Sequence, residues 1–193
     1  MNASGQPGDG PSHRPVGFLT RCIATGFFAG YFPWASGTIG TLVGLGISLI
    51  PGVHTPPVLL PLTIVGFSIG VYVAGKVAEA EGDRLSRSAA AAKAVFQPGE
   101  RTHPDPSIVV VDEIIGIWIT LLWLPPSASA YVLAFVAFRA YDVMKPVPVR
   151  SLEHIPGGWG IMLDDVVAGL YANITVRLIL LLLSSIPGMT FVQ

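Results

Sequence analysis

Hydrophobic residues fall into long runs along this chain, and short segments rich in proline, glycine or charge separate the runs. Two runs, residues 58–77 and 166–186, approach the ~20 residues that a helix needs to cross a bilayer. Further apolar segments cover residues 38–50, 108–124 and 127–144, while residues 16–34 mix aromatic and small residues, as interfacial helices do. The pattern predicts an all-α, polytopic membrane protein with about four to five membrane-associated helices.

The remaining segments outline one domain. Residues 1–15 are rich in glycine, proline and serine and lack the apolar stretch of a signal peptide, so they are predicted to form a disordered tail. Residues 16–193 are predicted to form a single helical membrane domain. Within it, residues 78–107 are the longest polar stretch, which we interpret as a cytoplasmic loop that starts as a helical extension.

Composition excludes several classes of function. Only 12% of the 193 residues are charged, against about 25% in an ordinary soluble domain. The net charge of −1 provides no basic field for nucleic acid. The single cysteine, Cys22, excludes an intrachain disulfide and argues against a cysteine-based metal site.

Charged residues concentrate at the ends of the apolar runs. Asp112 and Glu113 lie in the first turns of the third run, and Asp164 and Asp165 lie where the glycine-rich stretch 157–160 leads into the last run. Two carboxylates at a helix start complement the helix dipole, but one would be enough for that purpose. The fourth run ends in a mixed group of charges that comprises Arg139, Asp142 and Lys145.

Connectivity places these charged groups on one side of the membrane. If successive helices alternate in direction, each of the groups lies at the same face as the N-terminal tail. The predicted outer loops, residues 51–57 and 125–127, contain no lysine or arginine. Because positive residues are retained on the inner side, this face is predicted to be cytoplasmic.

The converging residues favour metal-assisted phosphoryl chemistry. Carboxylate oxygens without cysteine or paired histidine suit a hard ion such as Mg²⁺, and nearby arginine and lysine suit a phosphate. Gly37, Thr38 and Thr41 serve either close helix packing or an anionic ligand. A proton- or cation-coupled transporter and a structural assembly protein remain alternatives, because intramembrane charges also occur in ion pathways.

Four motifs occur in order along the chain: Ala24-Thr25-Gly26 with Gly37-Thr38-Ile39-Gly40-Thr41, Asp105-Pro106-x-Ile108-Val109-x-x-Asp112-Glu113-x-x-Gly116, Phe138-Arg139-x-x-Asp142-x-x-Lys145-Pro146-x-Pro148, and Gly157-Gly158-x-Gly160-Ile161-Met162-x-Asp164-Asp165-x-x-Ala168-Gly169. With this order and spacing, the chain resembles the phosphatidylglycerophosphatase A family over about residues 24–172. One departure is Ser36, which stands where we expect the family's proline before the Gly-Thr of the first motif.

The resemblance implies a Mg²⁺-dependent phosphomonoesterase embedded in the bacterial inner membrane. It would hydrolyse phosphatidylglycerophosphate, a membrane phospholipid, to phosphatidylglycerol and phosphate in glycerophospholipid synthesis. Its oligomeric state stays open.

The expected site follows from the motifs. The expected metal ligands are Asp112, Glu113, Asp142, Asp164 and Asp165, of which Asp112, Asp142 and Asp165, together with Lys145, are the expected catalytic residues. The expected phosphate and headgroup contacts are Thr38, Thr41, Arg139, Lys145, Arg150 and Gly158.

Overall fold

The computed structural model describes residues 16–32, 35–93, 108–152 and 155–185, excluding the side chains of residues 81–93 and 150. Every regular element in these ranges is helical, which confirms the all-α prediction. The predicted tail and most of the later half of the polar stretch lie outside them. The helices are α1 (Phe18–Ala24), α2 (Ser36–Ser48), α3 (Pro56–Lys93), α4 (Val111–Leu121), α5 (Ala128–Met144), α6 (Val149–Leu152) and α7 (Gly158–Ser184), with a 3-10 turn at Ala29–Tyr31.

Two of these helices are long and apolar enough to cross a membrane, namely the Pro56–Ala80 part of α3 and all of α7. Their mean hydropathies are 2.0 and 2.1, and much of each helix surface faces outward. The other predicted spans correspond to the shorter helices α2, α4 and α5. Four to five membrane-associated helices therefore stay a prediction. Beyond the predicted second span, α3 continues to Lys93, so the polar stretch does begin as a helical extension.

Helix α4 is the centre of the structure. All of its residues except Asp112 and Glu113 are buried, and it packs against α2, α3, α5 and α7. A helix that is apolar all round belongs in the interior of a bundle. Its two charged residues lie in the first turn and therefore mark one end of the bundle.

Contacts along α4 fix the directions of its neighbours. On α2, Gly37 lies beside Glu113 and Gly44 lies beside Ile117, so α2 runs parallel to α4. On α3, Gly66 lies against Ile115, while the later Gly70 and Gly75 contact Val111 and Gly158 at the acidic end. The helices therefore alternate in direction, as connectivity predicts.

The structure corrects the length of the third predicted span, residues 108–124, because α4 ends at Leu121. Asn173 on α7 donates hydrogen bonds to the carbonyl oxygens of Thr120 at 2.7 Å and Leu122 at 2.9 Å. Arg177 donates to Leu122 O at 2.9 Å and to Asn173 Oδ1 at 2.8 Å. Because these side chains satisfy carbonyls at the helix end, the chain can leave the helix without stranding buried polar groups.

The last predicted span, residues 166–186, begins too late, because α7 starts at Gly158. Gly158 packs against the backbone of α3 at Val71 and Gly75, and Gly160 packs against the carbonyl of Ile155. A side chain at either glycine would meet these backbone atoms. The glycine-rich stretch is therefore a tightly packed first turn, and the following aspartates lie inside the helix.

Candidate functional site

Three carboxylates from two helices meet at the N-terminal end of α4. Oxygen atoms of Asp112, Glu113 and Asp165 all lie within 4.8 Å of one another. Asp112 and Glu113 belong to the first turn of α4, and Asp165 is buried on α7. The contact between α4 and α7 therefore creates a potential three-oxygen metal site from residues more than fifty positions apart.

Two further carboxylates and two cations surround this group. Asp142 is close enough to interact electrostatically with Glu113 and Asp165, and it pairs with the guanidinium of Arg139. Asp164 accepts a hydrogen bond from Lys145 Nζ at 3.0 Å. The structure thus brings together all five predicted metal ligands and places Arg139 and Lys145 beside them.

The residues fit a divalent cation. Glu113 Oε2 is buried and has no hydrogen-bond partner within the described part of the chain. Burial raises the pKa of Asp112 well above its ordinary range, and the adjacent Glu113 raises it further. Burial also raises the pKa of Glu113 to about 7. Both residues lie on α4, outside the two candidate membrane helices, and a bound divalent cation would favour their charged forms. An all-oxygen donor set is the set that Mg²⁺ prefers.

The N-terminus of α2 lies beside the site, next to the guanidinium of Arg139. The helix begins at Ser36 without a side-chain cap, so its first-turn N–H groups have no partner within the helix. A Cβ atom at Gly37 would lie 2.5 Å from Glu113 Oε1 and 3.0 Å from Arg139 Nη1. Because Gly37 has no side chain, the carboxylate, the guanidinium and the helix start can approach one another closely.

The remaining predicted contacts have different surroundings. Thr38 is half-buried in the first turn of α2. Thr41 is fully buried and donates its hydroxyl to Gly37 O at 2.8 Å, which is the packing alternative for this residue. Gly158 is buried against α3, and the side chain of Arg150 lies outside the described atoms. Headgroup binding by these four residues stays a prediction.

Sequence reasoning assigned no individual role to Phe138 or Gly116, which pack together beside the site, whereas Lys145 was a predicted catalytic and phosphate-binding residue. The ring of Phe138 fills the space beside Gly116, one turn after Asp112 on α4. Lys145 has the left-handed backbone conformation that ends α5, with φ of 44°, and from there its side chain reaches Asp164. From the sequence, spacing shows that Gly116 follows Asp112 by one helical turn. It does not show what packs against Gly116, because the neighbouring residues, Phe138 and Asp165, come from α5 and α7.

A family model and several relatives resemble this chain. The sequence model described as "Phosphatidylglycerophosphatase A" matches residues 85–180. A Bacteroides thetaiotaomicron protein, provisionally named a phosphatidylinositol-3-phosphatase, is 34% identical over 167 residues, covering 82% of this chain and 92% of the relative. No solved structure matches the chain.

Two further relatives carry the name phosphatidylglycerophosphatase A. The Escherichia coli K12 protein is 34% identical over 149 residues, covering 76% of this chain and 75% of the relative. The Haemophilus influenzae protein is 33% identical over 158 residues, covering 80% and 84%.

Proposed function

The chain belongs to the phosphatidylglycerophosphatase A family and is a phosphatase, and on this premise we propose that it hydrolyses phosphatidylglycerophosphate to phosphatidylglycerol and phosphate. The reaction would serve glycerophospholipid synthesis. The observation that carries the proposal is the convergence of Asp112, Glu113 and Asp165 beside Arg139 at the start of α2. Acidic groups suited to a metal thus lie next to basic groups suited to a phosphate.

In this proposal, Asp112, Glu113 and Asp165 hold Mg²⁺, and Asp142 and Asp164 complete the acidic cluster. When bound, the ion supplies Lewis-acid polarisation of the phosphoryl group and lowers the pKa of a water molecule. Arg139 and Lys145 hold Asp142 and Asp164 in place, which keeps like charges apart before the ion binds.

The chain's own groups bind and orient the phosphomonoester. Arg139 and the first-turn N–H groups of α2, including those of Gly37 and Thr38, hold phosphoryl oxygens. Lys145 adds a second positive charge beside Asp164. Water attacks phosphorus in line and gives up a proton, the bond from phosphorus to the glycerol oxygen breaks, and the departing oxygen takes up the proton that the water has lost.

We place the enzyme in the bacterial inner membrane as a multi-pass protein whose site faces the cytoplasm. The two long apolar helices support membrane insertion, and the lack of lysine and arginine in residues 51–57 and 125–127 supports this orientation. The lipid's acyl chains then stay in the bilayer while its phosphorylated headgroup enters the site.

Phosphatidylinositol 3-phosphate is a second candidate substrate, because one relative carries that specificity in its name. Both lipids are phosphomonoesters, so the same cations and carboxylates would serve either one. The headgroup beyond the phosphate distinguishes them.

The test is phosphate release from each lipid in detergent micelles, with Mg²⁺ or EDTA. Wild-type protein should release phosphate from phosphatidylglycerophosphate only with Mg²⁺, and Asp165→Asn should lower the rate by at least about 100-fold. Glu79→Gln is the control, since Glu79 is an exposed carboxylate on α3 that pairs only loosely with Lys76 at 3.9 Å.

Faster release from phosphatidylinositol 3-phosphate would reassign the substrate. Full activity in a folded Asp165→Asn protein would remove Asp165 from the metal site. No release from either lipid, combined with ion flux in proteoliposomes, would favour the transporter alternative.

A further inference from the structure

Two aspartates of the acidic cluster are each followed by a glycine one helical turn later. Asp112 precedes Gly116 by four residues on α4, and Asp165 precedes Gly169 by four residues on α7. Because residues at i and i+4 share a face of a helix, each glycine lies on the same face as its carboxylate. The same spacing on both helices suggests that the glycines act together.

The two glycines meet where α4 and α7 cross. A Cβ atom at Gly169 would lie 2.5 Å from the carbonyl oxygen of Gly116. One at Gly116 would meet the ring of Phe138 on α5 at 2.4 Å and would lie 3.1 Å from the carbonyl oxygen of Asp165. The hydroxyl of Thr120 lies 2.9 Å from Gly116 O and 3.3 Å from Gly169 O, so it bridges both helices. The helices therefore touch backbone to backbone, one turn from the carboxylates.

We propose that this glycine crossing, formed by Gly116, Thr120 and Gly169, sets the separation of the Asp112 and Asp165 carboxylates and thereby the metal affinity of the site. The inference rests on the proposed metal site and assigns positioning residues to it. None of the three side-chain positions belongs to the carboxylate cluster itself.

The geometry explains why the crossing is sensitive. Ordinary contacts to a Cβ begin near 3.4 Å, so a methyl group at Gly169 would push the helices apart by on the order of 1 Å. Metal–ligand distances tolerate only about 0.2 Å. Since the carboxylates are one turn away on rigid helices, a displacement of the backbones moves the ligands with them.

General loosening of the core is the competing explanation, and the chain offers matched controls for it. Gly44 is the closely packed glycine between α2 and α4, since its Cβ would lie 2.6 Å from the side-chain atom Ile117 Cγ2 and 3.0 Å from the backbone atom Ile114 Cα. It has no part in the crossing of α4 and α7. Gly46, on the same helix, faces open space and controls for the change from glycine to alanine alone.

The experiment measures Mn²⁺ binding to the full chain in detergent, by the electron paramagnetic resonance signal of the free ion. Gly116→Ala and Gly169→Ala should bind Mn²⁺ at least about tenfold more weakly than wild type, as expected when residues that orient ligands are changed. Gly44→Ala and Gly46→Ala should stay within about threefold of wild type. Circular dichroism and thermal unfolding show whether each variant is folded.

Gly169→Ala is the deciding variant, because the atoms nearest its added methyl group all lie on α4, whereas that of Gly116→Ala also displaces Phe138. Wild-type affinity in folded Gly169→Ala would overturn the proposal, and so would an equal loss in Gly44→Ala. If the alanine variants do not fold, Thr120→Val decides, because it removes the bridging hydroxyl without adding volume. An unchanged affinity in Thr120→Val would then overturn the proposal, and a several-fold loss would support it. Asp165→Asn tests the metal site separately, and it should bind Mn²⁺ more weakly than wild type. If wild-type protein binds no Mn²⁺, both the metal site and this inference are wrong.

Discussion

At the scale of single residues, Glu113 is distinctive because its Oε2 atom is buried and accepts no hydrogen bond from the described residues. Asp112 precedes it directly, and Asp165 approaches it from α7. Like charges this close destabilise one another unless a cation lies between them. The same arrangement that lowers the stability of the metal-free protein therefore favours binding of a divalent ion.

Glu113→Gln should separate these two effects. Thermal unfolding in EDTA should show a melting temperature equal to or above that of wild type, because a buried charge is removed. Stabilisation by Mg²⁺ should shrink by about 1.4 kcal/mol for a tenfold loss of affinity. A lower melting temperature in EDTA together with a full Mg²⁺ response would contradict a ligand role for Glu113. Glu79→Gln should match wild type in both conditions.

The guanidinium of Arg139 and the carboxylate of Glu113 both lie beside Gly37, where a Cβ atom would lie 3.0 Å from Arg139 Nη1 and 2.5 Å from Glu113 Oε1. Arg139→Ala should lower kcat/KM for phosphate release by roughly 100-fold, because phosphoryl oxygens lose a charged donor. Arg139→Lys should recover only part of the activity, since lysine keeps the charge but not the planar pair of donors. Near-normal kinetics in Arg139→Ala would mean that the residue only pairs with Asp142. The exposed Lys76, changed to alanine, provides the control.

At the scale of elements, α4 carries two carboxylates of the site at its first turn, and at its other end it leaves backbone carbonyl groups that need hydrogen-bond donors. With eleven residues it extends roughly 16 Å, which is shorter than a bilayer core, so its last carbonyls lie inside the bundle. Asn173 and Arg177 supply donors for those carbonyls. Polar residues within the apolar helix α7 thus face a neighbouring helix, as their position in an apolar run predicts.

Asn173→Leu should destabilise the protein by about 1–3 kcal/mol, because the carbonyl oxygen of Thr120 would lose the donor at 2.7 Å and Arg177 Nε would lose its acceptor at 2.8 Å, with little change in side-chain size. Unfolding in detergent by a denaturant measures the loss. Ser184→Ala, near the end of the same helix, should be nearly neutral, since that serine is exposed and its hydroxyl donates locally to Leu181 O at 2.8 Å. Equal stability of the two variants would show that water or lipid headgroups satisfy the carbonyls instead.

At the scale of the whole molecule, alternating helix directions separate two ends. The acidic cluster, the start of α2 and the first turn of α7 lie at one end, and the loop between α2 and α3 lies at the other. Separate charged motifs become one site because each lies at the same end of its helix. The architecture therefore predicts opposite membrane sides for the α2–α3 loop and for α6.

Single cysteines introduced into a Cys22→Ser background test this topology. Pro51→Cys should react with a membrane-impermeant maleimide in cells with a permeabilised outer membrane, whereas Ser151→Cys on α6 should react only after lysis. Both positions are exposed in the structure. The reverse pattern would place the site on the outer face, and labelling of both from one side would exclude crossing by α3.

The sequence by itself determined the helical class, the approximate position of the apolar runs and the identity of the carboxylates, because composition and order along the chain carry that information. It also carried the family motifs. Tertiary structure decided where α4 ends and where α7 begins, since the partners responsible, Asn173 and Arg177 in one case and the α3 backbone in the other, come from remote segments. It also decided which carboxylate oxygens meet, because their separation depends on how closely two backbones cross at Gly116 and Gly169, and no local pattern encodes that distance.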